Sequence, residues 1–154
     1  MSNSLRYAVI ERERRFLIAG LPEGVVATRE IDDRYITGTR LRLREVREDD
    51  GSVIRKLGHK VRLGRGPAEV SSTNLYLDDR EWAVLRALPA RVLRKKRHLV
   101  HRDGLVVAID EHEDGTLVAE IDDRDEPSKL IPEWLDIIED VSDDEHWTGA
   151  ALAR

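Results

Sequence analysis

The sequence predicts a mainly-β (α+β) fold: an eight-stranded antiparallel sheet curled into a barrel, with a few peripheral helices including one at the C-terminus. Three observations carry this. Apolar residues recur with period two in most of the chain, turn signals punctuate it at short intervals, and only two late segments show helical spacing.

The first strand lies in Glu11–Ile18 (ERERRFLI), although five consecutive charges open it. The stretch RLRLREV, from Arg40 to Val46, alternates strictly. SVIRKLGHKVRL, EVSSTNLYL, RHLVHRDGLVVAID and TLVAEID follow as further strand-like runs. Between them stand Ala19-Gly20-Leu21-Pro22, Thr37-Gly38, Asp49-Asp50-Gly51, Gly64-Arg65-Gly66-Pro67, Asp103-Gly104 and Asp114-Gly115. Asp-Gly between alternating runs signals a hairpin, because both residues tolerate positive φ. Asp78 is read as the N-cap of a helix carrying Trp82, Leu85 and Leu88 on one face. Ser142 is read as the cap of a C-terminal helix, with Glu145 completing a capping box. No linker or repeat divides the chain, so residues 1–154 are expected to form one domain.

Charged residues are 37% of the chain and apolar ones 40%, with one Phe, three Tyr and three Trp, so the core must be built from Leu, Val, Ile and Ala. The absence of cysteine excludes disulfides and thiolate metal sites. Residues 1–10 lack the apolar segment of a signal peptide, and no run approaches a membrane span, so a cytoplasmic protein without membrane contact is expected. The net charge of −5 conceals segregation: residues 40–47, 55–65 and 91–102 are basic, whereas 109–126 and 133–145 are acidic. A nucleic-acid module usually carries a net basic balance, so this pattern points to a local anion site.

On a strand, residues two apart share a face. Glu11, Glu13 and Arg15 form one row, opposite Arg12, Arg14 and Phe16. Arg40, Arg42 and Arg44 form another, as do Lys56, Gly58, Lys60 and Arg62. Lys95 pairs with Arg97, and Glu120 with Asp122. Two readings fit. The rows are the solvated faces of ordinary strands, or they line a wet, charged barrel interior whose apolar faces point outward. Nearly pure rows of one sign repel across neighbouring positions. A highly charged ligand relieves that repulsion: arginine forks match phosphate oxygens, and carboxylates suit hard cations such as Mg²⁺.

The sequence resembles the CYTH domain, the triphosphate tunnel metalloenzymes. VIERERRFLIAGLP is similar to that family's Glu-x-Glu-x-Lys signature, with Arg15 standing where lysine is usual. RYITGTRLRLRE resembles its alternating-arginine strand at Arg42 and Arg44, and LGHKV its phosphate-binding lysine at Lys60. LRKKRH resembles the Lys-x-Arg strand at Lys95 and Arg97. AIDEHEDG carries the family's aspartate at Asp110, and LVAEIDD its late acidic pair at Glu120 and Asp122. These motifs run in order over nearly the whole chain.

The resemblance implies an eight-stranded tunnel that binds a triphosphate with one or two divalent ions, Mg²⁺ or Mn²⁺. It implies metal ligation by Glu11, Glu13, Asp110, Glu120 and Asp122. Substrate binding falls to Arg40, Arg42, Arg44, Lys60, Arg62, Lys95 and Arg97, and catalysis to Glu11, Glu13, Arg15 and Lys60. The expected activity is metal-dependent hydrolysis of a triphosphate, foremost inorganic triphosphate. Adenylate cyclase or thiamine-triphosphatase activity on the same scaffold is an alternative, as is a non-catalytic polyphosphate or nucleotide sensor. The expected partner is the small-molecule substrate, without nucleic acid; a homodimer is compatible with the sequence. Arg15 cannot serve as a neutral base. The family's middle acidic strand is reduced to AEVSSTN, where alternation points the remaining Glu69 outward.

Overall fold

The computed structural model describes residues 6–64, 66–124, 126 and 128–154. Its strands are β1 (Val9–Ile18), β2 (Val25–Ile36), β3 (Leu41–Arg47), β4 (Val53–Arg62), β5 (Glu69–Tyr76), β6 (Ala90–Arg102), β7 (Leu105–His112), β8 (Leu117–Asp122) and β9 (Ile137–Asp140). Helix α1 (Asp79–Arg86) lies between β5 and β6, and α2 (Gly149–Leu152) ends the chain. The sheet order is β5-β4-β3-β2-β6-β7-β8-β1, and β1 pairs back onto β5, closing an eight-stranded antiparallel barrel. β9 adds to the outer half of β1 at Phe16–Ile18. Closure satisfies both sheet edges, which would otherwise present unpaired backbone groups.

The barrel turns its apolar faces outward. Phe16, Ile18, Val100, Val107, Ile109, Ala119 and Ile121 form one buried cluster on the outer wall, sealed by Leu135 with Trp134 and Ile137. Arg102 stacks 5.4 Å from the Trp134 ring centre and shields that seal. On the opposite wall Ile36 and the fully buried Leu43 pack under Trp82 of α1, with Leu41, Leu57 and Leu85 around them. Burying such a side chain contributes about 1.5–3 kcal/mol, so both external clamps hold the wall in shape. The opposite parity of every strand is thereby left to line a charged lumen.

Local sequence accounts for the ends of the elements. Asp78 caps α1, its carboxylate accepting from the Glu81 amide while Glu81 answers to the Asp78 amide, a full capping box. Asp103 and Gly104 both take positive φ (54° and 75°), the two-residue turn that matches strand twist between β6 and β7. Two expectations differ. The C-terminal helix is divided into a 3₁₀ turn (Glu145–Trp147) capped by Asp144 and the four-residue α2 capped by Thr148. Ser142 is not its cap: its hydroxyl donates to Asp140 and accepts from the Arg15 amide, and Glu145 reaches Arg62 instead of a cap amide. His98 is buried on the outer wall between Thr28 (3.0 Å) and Glu111 (2.7 Å).

Candidate functional site: a cation-lined tunnel

Register decides which charges meet. Glu13 of β1 lies opposite Asp122 of β8, and Arg15 opposite Glu120. Arg97 of β6 faces Asp110 of β7, and Arg44 of β3 lies between Asp33 of β2 and Lys56 of β4. Arg12 and Arg14, of the other parity, point outward to Glu69 and Asp123. The alternation inside ERERRF therefore separates lumen charges from wall charges, and Phe16 begins the packed outer shell.

One continuous ionic chain crosses the lumen. Lys60 touches Glu11 at 3.1 Å and Glu13 at 3.4 Å. Arg15 donates to Glu13 at 2.5 Å and to Glu120 at 3.5 Å. Arg97 continues from Glu120 (3.4 Å) to Asp110, which it holds bidentately at 2.7 and 2.9 Å, and Lys95 reaches the same carboxylate at 2.7 Å. Burial opposes ionisation of Asp110, but Arg97 and Lys95 outweigh it and hold its carboxyl far below the usual range. Burial likewise works against Glu13, whose pKa is nonetheless lowered by Lys60 and Arg15.

A second group is shorter. Arg44 donates both fork nitrogens to Asp33 at 2.6 and 2.7 Å. Asp33 is fully buried, and Arg44 holds its carboxyl far below the normal range despite that burial. Arg42, one register step along, has only a 3.8 Å approach to Asp33, and its buried Nε has no hydrogen-bond partner among the described residues. Burial and the neighbouring Arg44 charge lower its pKa. The buried Nη1 of Arg15 and Oγ of Ser72 are also without partners among the described residues. Gly58 permits this arrangement, because a Cβ there would lie 3.0 Å from the Arg42 guanidinium and 3.2 Å from Asn74.

Arg15 and Arg42, with their unmet donors, border a cavity of about 330 Å³ between the lumen and the C-terminal segment Thr148–Ala150. Among the described residues six cations line it, Arg15, Arg40, Arg42, Lys60, Arg62 and Arg91, and no carboxylate does. Tyr35 is its aromatic wall; its hydroxyl rests against Gly149, leaving no room for a Cβ. Burial and the nearby Asp33 charge push the Tyr35 phenol up to about 12, so it stays a neutral donor. A larger depression of about 490 Å³ over β2, β3, β6 and β7 interleaves Glu30, Asp32, Glu45, Glu111 and Glu113 with Arg47, Arg94, Lys95 and Lys96. Its opposing charges largely cancel, so the smaller cavity has the stronger field for an anion.

The residues singled out from sequence are thus distributed. Glu11, Glu13, Arg15, Lys60, Lys95, Arg97, Asp110 and Glu120 join one network. Arg40, Arg42 and Arg62 border the cavity, the last tied also to Glu145, while Arg44 is engaged by Asp33. Asp122 lies exposed at the end of β8, where it accepts from the Arg12 and Arg124 amides. Among the described residues, no three carboxylates or histidines gather around one point as metal ligands. Glu11 and Glu13 do reach a common positive centre, the Lys60 ammonium. That donor chemistry fits Mg²⁺, which takes one or two carboxylates and completes its shell with phosphate oxygens and water.

Solved structures share this architecture. One described as the inorganic triphosphatase NE1496 superposes with TM-score 0.58 and 21% identity over 93% of each chain. Another, described as the hypothetical protein NE1496, gives 0.60 and 22% over 93% of this chain and 97% of that one. A conserved hypothetical protein from Pyrococcus furiosus gives 0.54 and 21% over 72% and 78%. The chain has their fold. No protein-family model matches it, and no curated protein does. Against that shared barrel, three residues of lumen parity stand out that sequence reasoning passed over, Asp33, Tyr35 and Arg91, and a fourth, Lys56, that it placed in a row without a role. Arg91 opens the basic segment 91–102 and could have been found there. Asp33 lies in a stretch charged on both faces and carried no such signal.

Proposed function

We propose that this chain is a CYTH-type hydrolase that uses Mg²⁺ or Mn²⁺ to cleave a terminal phosphoanhydride, with inorganic triphosphate as its preferred substrate. The observation that carries this is the cavity, bordered among the described residues by six cations and no carboxylate, with buried donors on Arg15 and Arg42 left unmet by them. Such a site is complementary to a compact polyanion. The structural neighbour described as an inorganic triphosphatase supports the same reading. A nucleoside or thiamine group would call for an aromatic platform. The cavity offers only Tyr35, whose hydroxyl is already set against Gly149.

In this mechanism Arg15, Arg42 and Lys60 grip the phosphate oxygens and stabilise the charge that grows on them in the transition state. Glu11 and Glu13 would hold the divalent ion, which when bound would neutralise phosphate charge and lower the pKa of a water. Arg15, always protonated, serves as an electrostatic clamp and not as a base. The ion pairs with Glu13 and Glu120 fix its fork before substrate arrives, so little reorganisation accompanies the reaction. The segment Thr148–Ala150 forms part of the cavity wall.

The test is phosphate release from inorganic triphosphate, ATP and thiamine triphosphate with Mg²⁺ or Mn²⁺ against an EDTA control, beside a Glu11→Gln/Glu13→Gln variant. Turnover is expected with metal, highest on inorganic triphosphate, and reduced at least about a hundredfold in the variant, the scale of losing a principal electrostatic element. A second reading, a triphosphate-binding sensor, is favoured by one observation: the lumen face of β5 presents Val70, Ser72 and Asn74 and no carboxylate. Tight binding without turnover would select it.

A further inference from the structure

Lys56 lies on β4 with the lumen parity of Gly58 and Lys60, directly across from Arg44 on β3 and Tyr76 on β5. Like charges directly opposite on antiparallel strands are destabilising. Arg44 has the Asp33 carboxylate, whereas Lys56 makes no ion pair or hydrogen bond among the described residues. The groups acting on it most strongly are mainly of its own sign: Arg44 and Arg42 from β3 and Arg97 from β6, with Asp33 from β2 opposing them. Tyr76 on β5 is exposed, and along β4 itself the next lumen cation is Lys60, beyond Gly58. Half-buried, the Lys56 ammonium is pushed down to about 8, by desolvation first and by the three arginines next.

We propose that Lys56 is a phosphate-binding residue that gives the tunnel its preference for a chain of three phosphates over one or two. The assignment rests on the reading of the neighbouring cavity as the triphosphate site. Lys56 and Lys60 are four residues apart on one face of a strand, about 13 Å between Cα atoms. Between them Gly58, without a side chain of its own, admits the Arg42 guanidinium, so a third cation stands between the two lysines. Across β5 the intervening lumen positions, Ser72 and Asn74, are neutral. A short anion seated on the cavity cations leaves Lys56 unused, and an extended phosphate chain reaches it. The position carries no ligand-independent benefit that the structure reveals, because its charge meets repulsion and receives no partner.

The experiment is calorimetric binding of inorganic triphosphate and pyrophosphate in metal-free buffer to the wild type, Lys56→Met and Lys56→Arg. Lys56→Met is expected to weaken triphosphate about tenfold, the loss of one charge-assisted contact, and pyrophosphate less than about twofold. Lys56→Arg should retain the wild-type preference. A bound polyanion raises the lysine pKa, so at pH 8.5 triphosphate binding should draw a proton onto wild-type Lys56. Comparing buffers of different ionisation enthalpy would show this uptake, and it should be missing in both variants. Because removing a repelled cation does not threaten folding, the Lys56→Met thermal midpoint should equal or exceed the wild type. Equal weakening of both anions, or unchanged affinities and proton uptake, would overturn the role of Lys56 alone. A folded wild type that binds no triphosphate would overturn the cavity reading together with it.

Discussion

Arg42 and Arg44 are two residues apart on β3, point into the same lumen and differ mainly in the company they keep. Arg44 gives both fork nitrogens to the buried Asp33, while Arg42 approaches the same carboxylate only at 3.8 Å and keeps a partnerless Nε. The first charge belongs to the wall: it is neutralised, geometrically fixed and raised in pKa by its carboxylate. The second is held in place by Gly58 and by burial without being neutralised, and its pKa is lowered accordingly. A charge that a fold buries and leaves uncompensated is destabilising until an external ion arrives. Identical residues in one alternating row can therefore serve stability and binding separately, according to whether the adjacent strand supplies an anion.

The comparison breaks most sharply at Asp33. Asp33→Asn leaves the Arg44 guanidinium buried without its counter-charge and should cost about 3–5 kcal/mol in urea unfolding. The sign of its pH dependence follows. A carboxyl whose folded pKa is depressed contributes stability that is fully present above its unfolded value near about 4 and is lost as pH falls toward the folded one. Thermal midpoints should therefore drop steeply below about pH 4 in the wild type and less steeply in Asp33→Asn, which has no such carboxylate. Arg42→Met should do the reverse at neutral pH. Its unfolding free energy is expected to stay level or rise, while triphosphate affinity by calorimetry falls about tenfold to hundredfold, the worth of about 1.5–3 kcal/mol of charge-assisted hydrogen bonding. The smallest effect is expected at Arg94, which pairs at 3.1 Å with Asp32 on the exposed outer wall. Arg94→Ala should change stability by less than about 1 kcal/mol and leave triphosphate affinity unaltered.

The sequence exposes the parity of the barrel wherever one face of a strand is apolar. Leu41 and Leu43 against Arg42 and Arg44, or Ile121 against Glu120, separate shell from lumen by alternation. β2 resists the same treatment. From Glu30 to Arg34 only Ile31 is apolar, and the lumen residue Asp33 is flanked on the outer face by Asp32 and Arg34. No periodicity marks Asp33 there, so neither the pairing of Arg44 nor the isolation of Arg42 can be inferred from the chain. The direction of each row, inward or outward, is equally silent in a barrel whose apolar side faces out, and the family resemblance supplied that choice. Glu69 was legible because its parity matches Arg12, and the structure joins the two at 3.3 Å. Lys56 was visible in its row but lacked a motif to single it out. At the C-terminus Gly149 explains why capping signals overstate the helix: Tyr35 requires a residue without Cβ there, and glycine weakens helical propagation.

The double allegiance of β1 also shapes how this molecule comes together in time. Its first half pairs with β5, through Val9–Arg12 and Glu69–Ser72, and its second half with β8, through Glu13–Ile18 and Leu117–Asp122. The barrel's first strand is thus completed by its eighth, across residues 19–116. The β2–β5 and β6–β8 hairpins can form from near neighbours, but the circle waits for β8. High contact order of this kind places refolding on the millisecond-to-second scale. Until closure, the Glu11–Glu13–Arg15 row remains exposed to water, where ionised side chains keep the waiting strand soluble.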